Sequence, residues 1–216
     1  MDPVKRDYHS TLRAGQARQT RRAIVAAATE VFLEHGFARA TIDAVAAAAA
    51  VSRKTVFTSV GGKLELLKTA LDWAITGDDQ ETALAEREEL ATALAQDDPA
   101  DLLDGWVNVL VDVDLRAGRL FRALEVAADA DESAADLLRA YEQQRLDGAR
   151  TVIARLAELG ALTDRIRRSD AIDIAWLAGD PALFARLVGT RRWSHRRFRQ
   201  WLTEQIGAQL LREAQD

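Results

Sequence analysis

Cysteine is absent from this chain of 216 residues, and histidine occurs only three times. The absence of cysteine excludes disulfides, thiolate metal sites and cysteine nucleophiles. His9, His35 and His195 lie far apart and in no ligand spacing, so we expect neither a metal site nor another cofactor. No nucleophile is paired with a base, and the sequence therefore predicts a protein that is not an enzyme.

Long apolar runs are also missing, because Glu, Asp or Arg interrupts each stretch rich in alanine or valine. No stretch reaches the length of about eighteen apolar residues that a membrane-spanning helix requires. The first 22 residues lack the apolar centre of a signal peptide. We therefore expect a cytoplasmic protein with no membrane partner.

The charges are unevenly distributed along a chain whose net charge is −5. Residues 1–71 contain eleven Lys and Arg against six Asp and Glu, a net charge of +5, and residues 72–216 contain eighteen against twenty-eight, a net charge of −10. This asymmetry predicts an anion-binding part followed by an acidic body. Chance clustering is the alternative interpretation.

Proline is scarce, and apolar residues recur at spacings of three and four, so the sequence predicts an all-α fold. We expect residues 1–19 to form a flexible basic arm, because they lack an apolar stripe. The first helix is predicted over about residues 20–35, ended by Gly36. Thr41 and Ser52 are predicted to cap two short helices that follow, and a fourth helix begins after Gly61 and Gly62.

Further helices are predicted at about residues 81–95, 99–128, 132–159, 169–190 and 194–212, the second of them with a possible break at Gly118. Asp98 and Ser194 are expected N-caps, Pro99 and Pro181 suit a first helical position, and Gly160 suits a helix end. Residues 106–115 alternate like a strand, but their apolar stripe favours a helix. The acidic pairs Asp78–Asp79 and Asp97–Asp98, with residues 129–132, are expected to be caps and solvated charge.

The two short helices form a helix-turn-helix candidate, whose second helix can enter the major groove of DNA. Val45, Ala46 and Ala49 are predicted to let the two helices approach closely, and Val51 and Val56 to pack between them against Phe32. The start of the second helix then faces outward. Cations and hydroxyls at such a position suit contacts with phosphates and base edges. The predicted DNA-binding residues are Thr41, Ser52, Arg53, Lys54, Thr55, Phe57, Thr58 and Lys63.

Simpler interpretations stay open for these residues. Thr41 and Ser52 could act only as helix caps, and Arg53 and Lys54 could form a solvated face. Three arginines at the start of the first helix, Arg18, Arg21 and Arg22, are expected either near phosphate or as solubilising charge.

The stretch from Thr20 to Leu67 resembles the DNA-binding domain of the tetracycline-repressor (TetR) family of bacterial transcription regulators. The resemblance rests on "AAATEVFLEHGF", Thr41-Ile42, Val45-Ala46, Ala49-Ala50-Val51-Ser52, Thr55-Val56-Phe57, Ser59-Val60, Lys63 and Leu66-Leu67. Four departures distinguish this chain from the family pattern. Ala50 stands in place of the turn glycine, Phe57 in place of a tyrosine, Ser59-Val60 in place of His-Phe, and Lys54 in place of a small residue.

The resemblance implies a three-helix DNA-binding domain at residues 20–67 and a larger helical domain at 68–216 that binds an effector and forms a homodimer. It implies a repressor that a small molecule releases from a palindromic DNA operator. The expected dimer interface is Trp176, Phe184, Leu187, Trp193, Phe198, Trp201 and Leu202, and the expected effector pocket is Trp73, Trp106, Leu110, Phe121 and Tyr141.

Other functions remain open at this point. The large side chains of both sets could form an ordinary intrachain core. The chain could be a DNA-binding dimer without a small effector. It could also be an all-α ligand carrier or enzyme whose basic end is incidental.

Overall fold

The structure is a computed structural model that describes residues 3–80 and 83–212, with side chains from residue 14 onward. Its α-helices are α1 Pro3–Arg39, α2 Ile42–Ala48, α3 Arg53–Ser59, α4 Lys63–Thr76, α5 Glu88–Leu94, α6 Pro99–Ala128, α7 Glu132–Glu158, α8 Arg168–Ala178, α9 Pro181–Phe184 and α10 His195–Leu210. A 3₁₀ turn, Leu84–Glu86, precedes α5, and a π-helical segment, Ala185–Thr190, follows α9. No strand forms in the described ranges, where the one isolated β-bridge joins Leu162 to Leu211, and the all-α class is confirmed.

The short helices of the N-terminal part begin at the predicted caps. The Thr41 hydroxyl accepts a hydrogen bond from the Ala44 amide at 3.1 Å, and the Ser52 hydroxyl accepts one from the Thr55 amide at 3.1 Å. Each bond satisfies an amide that has no partner within the first turn of its helix. Gly36 leaves the helical conformation at φ 70° and kinks α1 near its predicted end, and one further turn follows to Arg39.

The start of α1 corrects the sequence interpretation. Residues 1–19 are predicted to be a flexible arm, but the helix begins at Pro3 and continues through this segment. Residues 1 and 2 lie outside the described residues. Alanine, arginine and glutamine are good helix formers, and Pro3 takes a first position where its missing amide costs nothing. The lack of an apolar stripe therefore does not exclude a helix.

Two predicted body helices are wrong in extent. In the segment predicted as helix over 81–95, residues 81 and 82 lie outside the described residues, and the rest contains a 3₁₀ turn followed by the short α5. The helix predicted over 169–190 is divided, because Pro181 starts α9 with Asp180 as its N-cap. By contrast, α6 runs unbroken through Gly118, and the strand-like residues 106–115 are helical.

Two hydrophobic cores are arranged along the molecule, and α6 and α7 contribute to both. The first core joins α1–α4 to the C-terminal half of α6 and the N-terminal half of α7. The second joins the other halves of α6 and α7 to α8 and α10. The α6 residues of the first core are Ala117, Leu120, Phe121, Leu124 and Ala127, and those of the second are Leu102, Leu103, Trp106, Val107 and Val111.

The N-terminal part is therefore not packed as an isolated unit. Its core continues into the body through α4 and α6. The domain division at residues 67 and 68 stays a prediction. Within the described ranges, no helix is both long enough and apolar enough to cross a membrane.

Two glycines of α6 give a test of how closely α5 packs. A Cβ added at Gly105 lies 2.9 Å from the Ala93 Cβ, whereas one added at Gly118 meets nothing within 4 Å. We expect Gly105→Ala to lower the free energy of unfolding by about 1 kcal/mol, because overpacking outweighs the gain in helix propensity. Gly118→Ala should raise it by up to about 1 kcal/mol. Calorimetric melting temperatures that move in the same direction for both variants contradict this packing.

Candidate DNA-binding surface and regulatory cavity

The helix α3 is held by one fully buried side chain and presents its other residues outward. Val56 is 0% exposed and packs in the first core with Phe32 of α1 and Val45 of α2. Phe57, next in the chain, is 48% exposed. The predicted arrangement of the helix-turn-helix is confirmed, since the core residues face inward while Arg53, Lys54, Phe57 and Thr58 face solvent.

The turn between α2 and α3 has the left-handed conformation expected of a glycine, although alanine occupies it. Ala50 has φ 54°. The Val51 amide donates to the Ala46 carbonyl at 2.9 Å, and the Ala50 amide donates to the Ala47 carbonyl at 3.1 Å, so the turn is fully formed. A left-handed residue with a Cβ costs roughly 1–2 kcal/mol. The departure from the family glycine therefore leaves strain in a turn that still has a left-handed residue at this position.

The hydroxyl groups of α3 bond first to one another and to their own helix. The oxygens of Ser52 and Thr55 are 2.8 Å apart in a hydrogen bond, and the Thr58 hydroxyl donates to the Lys54 carbonyl at 3.0 Å. These bonds order the side chains on the exposed surface. Their oxygens retain lone pairs that can accept from base amino groups.

The two cations at the start of α3 differ in their surroundings. A guanidinium nitrogen of Arg53, Nη1, donates to Asp43 Oδ2 of α2 at 3.1 Å, and both side chains are more than half exposed. Such a surface pair contributes about 0–1 kcal/mol and leaves the other N–H groups of Arg53 available to a phosphate or base edge. The Lys54 ammonium makes no hydrogen bond or ion pair with any described residue. Asp43 is thus a residue of this surface that sequence reasoning misses.

The ammonium of Lys63, a predicted phosphate contact, already has partners within the chain. Lys63 is half-buried, its ammonium donates to the Ala38 carbonyl at 3.3 Å, and it lies 4.3 Å from the centre of the Phe37 ring. Burial lowers the pKa of this ammonium. Lys63 therefore joins α4 to the end of α1, and its contact with phosphate stays a prediction that depends on its remaining N–H groups.

Three arginines of α1, Arg18, Arg21 and Arg22, are hydrogen-bonded to other groups of the chain in this structure. Arg18 and Arg22 both donate to Asp79, with their Nε atoms 2.8 and 2.6 Å from Oδ2, and they hold the pKa of that carboxyl well below its usual range. Arg21 donates to the Ser59 carbonyl at 2.5 Å. The side chains of Arg18 and Arg22 are still 57% exposed while they are paired, and a contact of the three arginines with phosphate stays a prediction.

The neighbouring acid is engaged in the same way. The guanidinium of Arg87 donates to both Asp78 oxygens at 2.7 Å and lowers the pKa of that carboxyl to about 2. Asp78 and Asp79 therefore accept hydrogen bonds from arginines and are not solvated charge. Asp98 and Asp131 act as helix caps, as predicted. No group of three or more potential metal ligands exists among the described residues.

A cavity of about 140 Å³ lies in the body between α6, α7 and the corner that joins α8 to α9. Phe121 and Tyr141, two of the five predicted pocket residues, line it, and their rings meet edge to face at 5.5 Å. Trp73, Trp106 and Leu110 pack in the two cores and do not line it. The other lining residues are Glu125, Leu138, Glu142, Arg145, Trp176, Asp180, Pro181 and Ala182.

Two residues that line this cavity carry an N–H donor that has no acceptor. Arg145 Nε and Trp176 Nε1 are buried without a hydrogen-bond partner, and each such group costs about 1–3 kcal/mol. Asp114 of α6 is 6% exposed, and burial raises its pKa to about 8, against the attraction of Arg145. Sequence reasoning misses Arg145 as a cavity residue, although it follows Tyr141 by four residues and so shares its helix face.

The predicted dimer-interface residues divide into three groups. Phe198 and Leu202 are 0% and 3% exposed, so their assignment to the interface is wrong because the second core of the same chain covers them. Trp176 lies in the cavity wall. The remaining four residues, Phe184, Leu187, Trp193 and Trp201, are each partly buried or exposed at the edge of that core and stay candidates.

The fold and this surface define a helix-turn-helix protein with a larger all-helical body. Residues 24–70 match the family model described as bacterial regulatory proteins, tetR family. The transcriptional regulator CymR of Pseudomonas putida is 32% identical over 166 residues, which cover 76% of this chain and 76% of that protein. The chain therefore belongs to the tetR family of bacterial regulatory proteins, as the sequence resemblance predicts, and it is a transcription regulator rather than an enzyme.

Other relatives match only the N-terminal part. The regulators TtgW and SrpR of Pseudomonas putida are each 43% identical over 58 residues, or 27% of this chain, and the match spans 43% and 27% of their respective lengths. Among solved structures, SmeT in complex with triclosan has a TM-score of 0.68 at 19% identity, with 91% of this chain and 93% of that chain covered. NalD of Pseudomonas aeruginosa has a TM-score of 0.66 at 20% identity over 91% and 99%. At these identities the two structures show a shared fold.

The strained turn gives a stability prediction. We expect Ala50→Gly to raise the free energy of unfolding by about 0.5–1 kcal/mol, since relief of the left-handed strain exceeds the entropy that glycine adds to the unfolded chain. Ala47→Gly, in the helical part of α2, should lower it by about 0.5–1 kcal/mol. Urea midpoints at unchanged slope measure both effects. A destabilised Ala50→Gly protein contradicts the assigned backbone.

Proposed function

We propose that this chain is a homodimeric transcriptional repressor that binds a palindromic DNA operator through α3 and is released by a small molecule bound in the body. The observation that carries the proposal is the orientation of α3. Its buried Val56 fixes the helix, while the exposed Arg53 and Lys54 project from its first turn. A short helix with this polarity fits the major groove, which is wide enough to admit an α-helix.

The contacts are assigned by chemistry. Arg53 suits a guanine edge, because its planar group donates two parallel hydrogen bonds, and Lys54 suits a phosphate. Thr41 and Ser52 are placed at the starts of α2 and α3, where backbone amides accompany a phosphate contact. Thr55, Thr58 and the exposed Phe57 ring complete the proposed groove contacts, and Lys63 is proposed at the rim.

Two copies of the chain are proposed to read two half-sites about 34–36 Å apart, or a multiple of that distance. The partly exposed residues Phe184, Trp193 and Trp201 near the chain end support the dimer, because aromatic residues are enriched at interfaces. Leu177 on α8 is 54% exposed and adds a large apolar side chain to this end of the body.

Release is proposed to pass from the cavity to α4. The Tyr141 ring lines the cavity, and its hydroxyl donates to Asp72 of α4 at 2.7 Å. Arg116 of α6 donates to the carbonyls of Ala74 and Ile75 at the end of the same helix, at 2.8 and 3.0 Å. A ligand that displaces Tyr141 or α6 therefore changes the position of α4, and with it the separation of the two recognition helices.

Two alanine variants test the DNA surface after duplexes have been selected from random DNA. Arg53→Ala should weaken specific binding by about 1–3 kcal/mol, roughly tenfold to a hundredfold, and relax the preference at one base pair. Lys54→Ala should weaken binding to all duplexes and reduce the slope of log affinity against log salt by about one. Gel retardation and anisotropy at several salt concentrations measure these effects.

Arg150→Ala is the matched control for the DNA experiment, because it removes an exposed cation from α7 of the body. It should leave affinity and salt slope unchanged. If Arg53→Ala and Lys54→Ala bind the selected duplexes as tightly as this control, the recognition-helix assignment is wrong.

A substitution of Leu177 on α8 tests the proposed dimer interface. We expect Leu177→Arg to shift the protein from dimer to monomer in sedimentation equilibrium, because a charged group without a partner is costly in an apolar interface. Val126→Arg is the control, since Val126 is 44% exposed but lies on α6 beside α1. A monomeric wild-type protein, or a dimeric Leu177→Arg protein, counts against the proposed interface.

A further inference from the structure

Residues that line the cavity in the body carry buried hydrogen-bond donors that have no partner. Four buried side-chain atoms in the described residues lack a partner, and two of them, Arg145 Nε and Trp176 Nε1, belong to residues that line this cavity. Both are donors. An occupant that satisfies them must offer an acceptor, and oxygen is the ordinary acceptor for N–H groups in proteins.

The volume of the cavity limits the occupant to one ring. About 140 Å³ is close to the roughly 150 Å³ of an engineered apolar cavity that admits benzene. The walls suit an aromatic guest, because Phe121 and Tyr141 meet edge to face and the Trp176 ring lies beside them in the lining. Aromatic pairs prefer such edge and offset contacts.

The charges favour a neutral occupant. Arg145 is half-buried, lies 5.4 Å from the Trp176 ring centre and has no ion pair within the described ranges. Against this single lining cation, three carboxylates line the cavity, from Glu125, Glu142 and Asp180, and one of them, Glu125, is paired with Arg122 at 3.0 Å. A ligand carboxylate would face these three groups, whereas a ligand ammonium would supply no acceptor to the two free donors.

We propose that this cavity binds a neutral compound of one aromatic ring whose carbonyl oxygen accepts hydrogen bonds from Arg145 Nε and Trp176 Nε1. The inference rests on the proposed function, because it names the chemical class of the effector in that function. The ring packs against Tyr141, whose hydroxyl is bonded to Asp72 of α4, so occupancy reaches the DNA-binding part through that contact.

Benzamide is the probe. Three matched compounds serve as comparisons: toluene lacks the acceptor, benzoate carries a negative charge and benzylamine carries a positive charge. Titration calorimetry on the full chain, free of DNA, should give benzamide a dissociation constant at least tenfold lower than that of each other compound. Absence of benzamide binding overturns the proposal. Toluene bound as tightly as benzamide overturns the role of the donors, and tighter benzoate overturns the preference for a neutral ligand.

Two variants remove the donors while keeping shape or charge. Trp176→Phe and Arg145→Lys should each weaken benzamide binding about tenfold. Arg199→Lys is the matched control, because Arg199 Nε is also buried without a partner but lies outside the cavity lining. It should bind benzamide as the wild type does. Equal benzamide affinity in the wild type and both donor variants overturns the assignment.

DNA retardation by the unliganded protein separates this inference from the proposed function. A protein that binds benzamide but retards no selected duplex retains the ligand assignment and loses the repressor assignment. A protein that retards DNA but does not bind benzamide loses the ligand assignment alone. Saturating benzamide should lower operator affinity at least fivefold, and unchanged affinity overturns its assignment as effector chemistry.

Discussion

The burial of α6 in two separate cores is the constraint on which the rest of the structure depends. One half of this 30-residue helix packs with α1 and α4, and the other half packs with α8 and α10. A helix of this length is about 45 Å long and behaves as a stiff element, so its two halves move together. Leu120 and Leu124 at one end and Leu102 and Val107 at the other are fully buried. Neither core can therefore repack around α6 without displacing residues of the other.

Two arginines of α6 also bond to backbone carbonyls near the C-terminal ends of α4 and α1. Arg119 of α6 donates to the Leu33 carbonyl of α1, and Arg116 bonds the last turn of α4. Helix C-termini carry partial negative charge, so a guanidinium is favoured there. Because these groups are exposed, each bond is weak beside the buried leucines. Core packing thus sets which helices touch, and the arginines add polar contacts between α6 and the helices α1 and α4.

The sequence predicts the helix-turn-helix well because local interactions determine it. A hydroxyl three residues before an amide is sufficient for the caps at Thr41 and Ser52, and the buried face of α3 follows from the position of Val56. Even the unusual conformation of Ala50 can be anticipated, since the turn requires a left-handed residue whichever side chain occupies it. The helical start of α1 is missed because these residues lack the apolar stripe from which the sequence predicts a helix.

The body is predicted less well because its sites are assembled from distant segments. Trp176 and Arg145 are 31 residues apart and meet only through the packing of α7 on α8. Phe198 and Trp201 are close in sequence, yet one is fully buried and the other lies at the edge of the core. An aromatic stripe does not reveal whether its partner belongs to the same chain. The exposed fraction of each side chain in the folded protein supplies that information.

The pair between Asp43 and Arg53 shows how specificity can arise on a surface with few cations. In the proposed complex, the Asp43 carboxylate faces phosphates and lowers affinity for every duplex alike. Its bond to one nitrogen of Arg53 leaves the other N–H groups of the guanidinium available and restricts their direction. A duplex whose base accepts a hydrogen bond from the oriented guanidinium recovers the affinity that Asp43 removes, and a duplex with another base there does not. The acidic residue therefore increases the ratio of specific to non-specific binding while it reduces both.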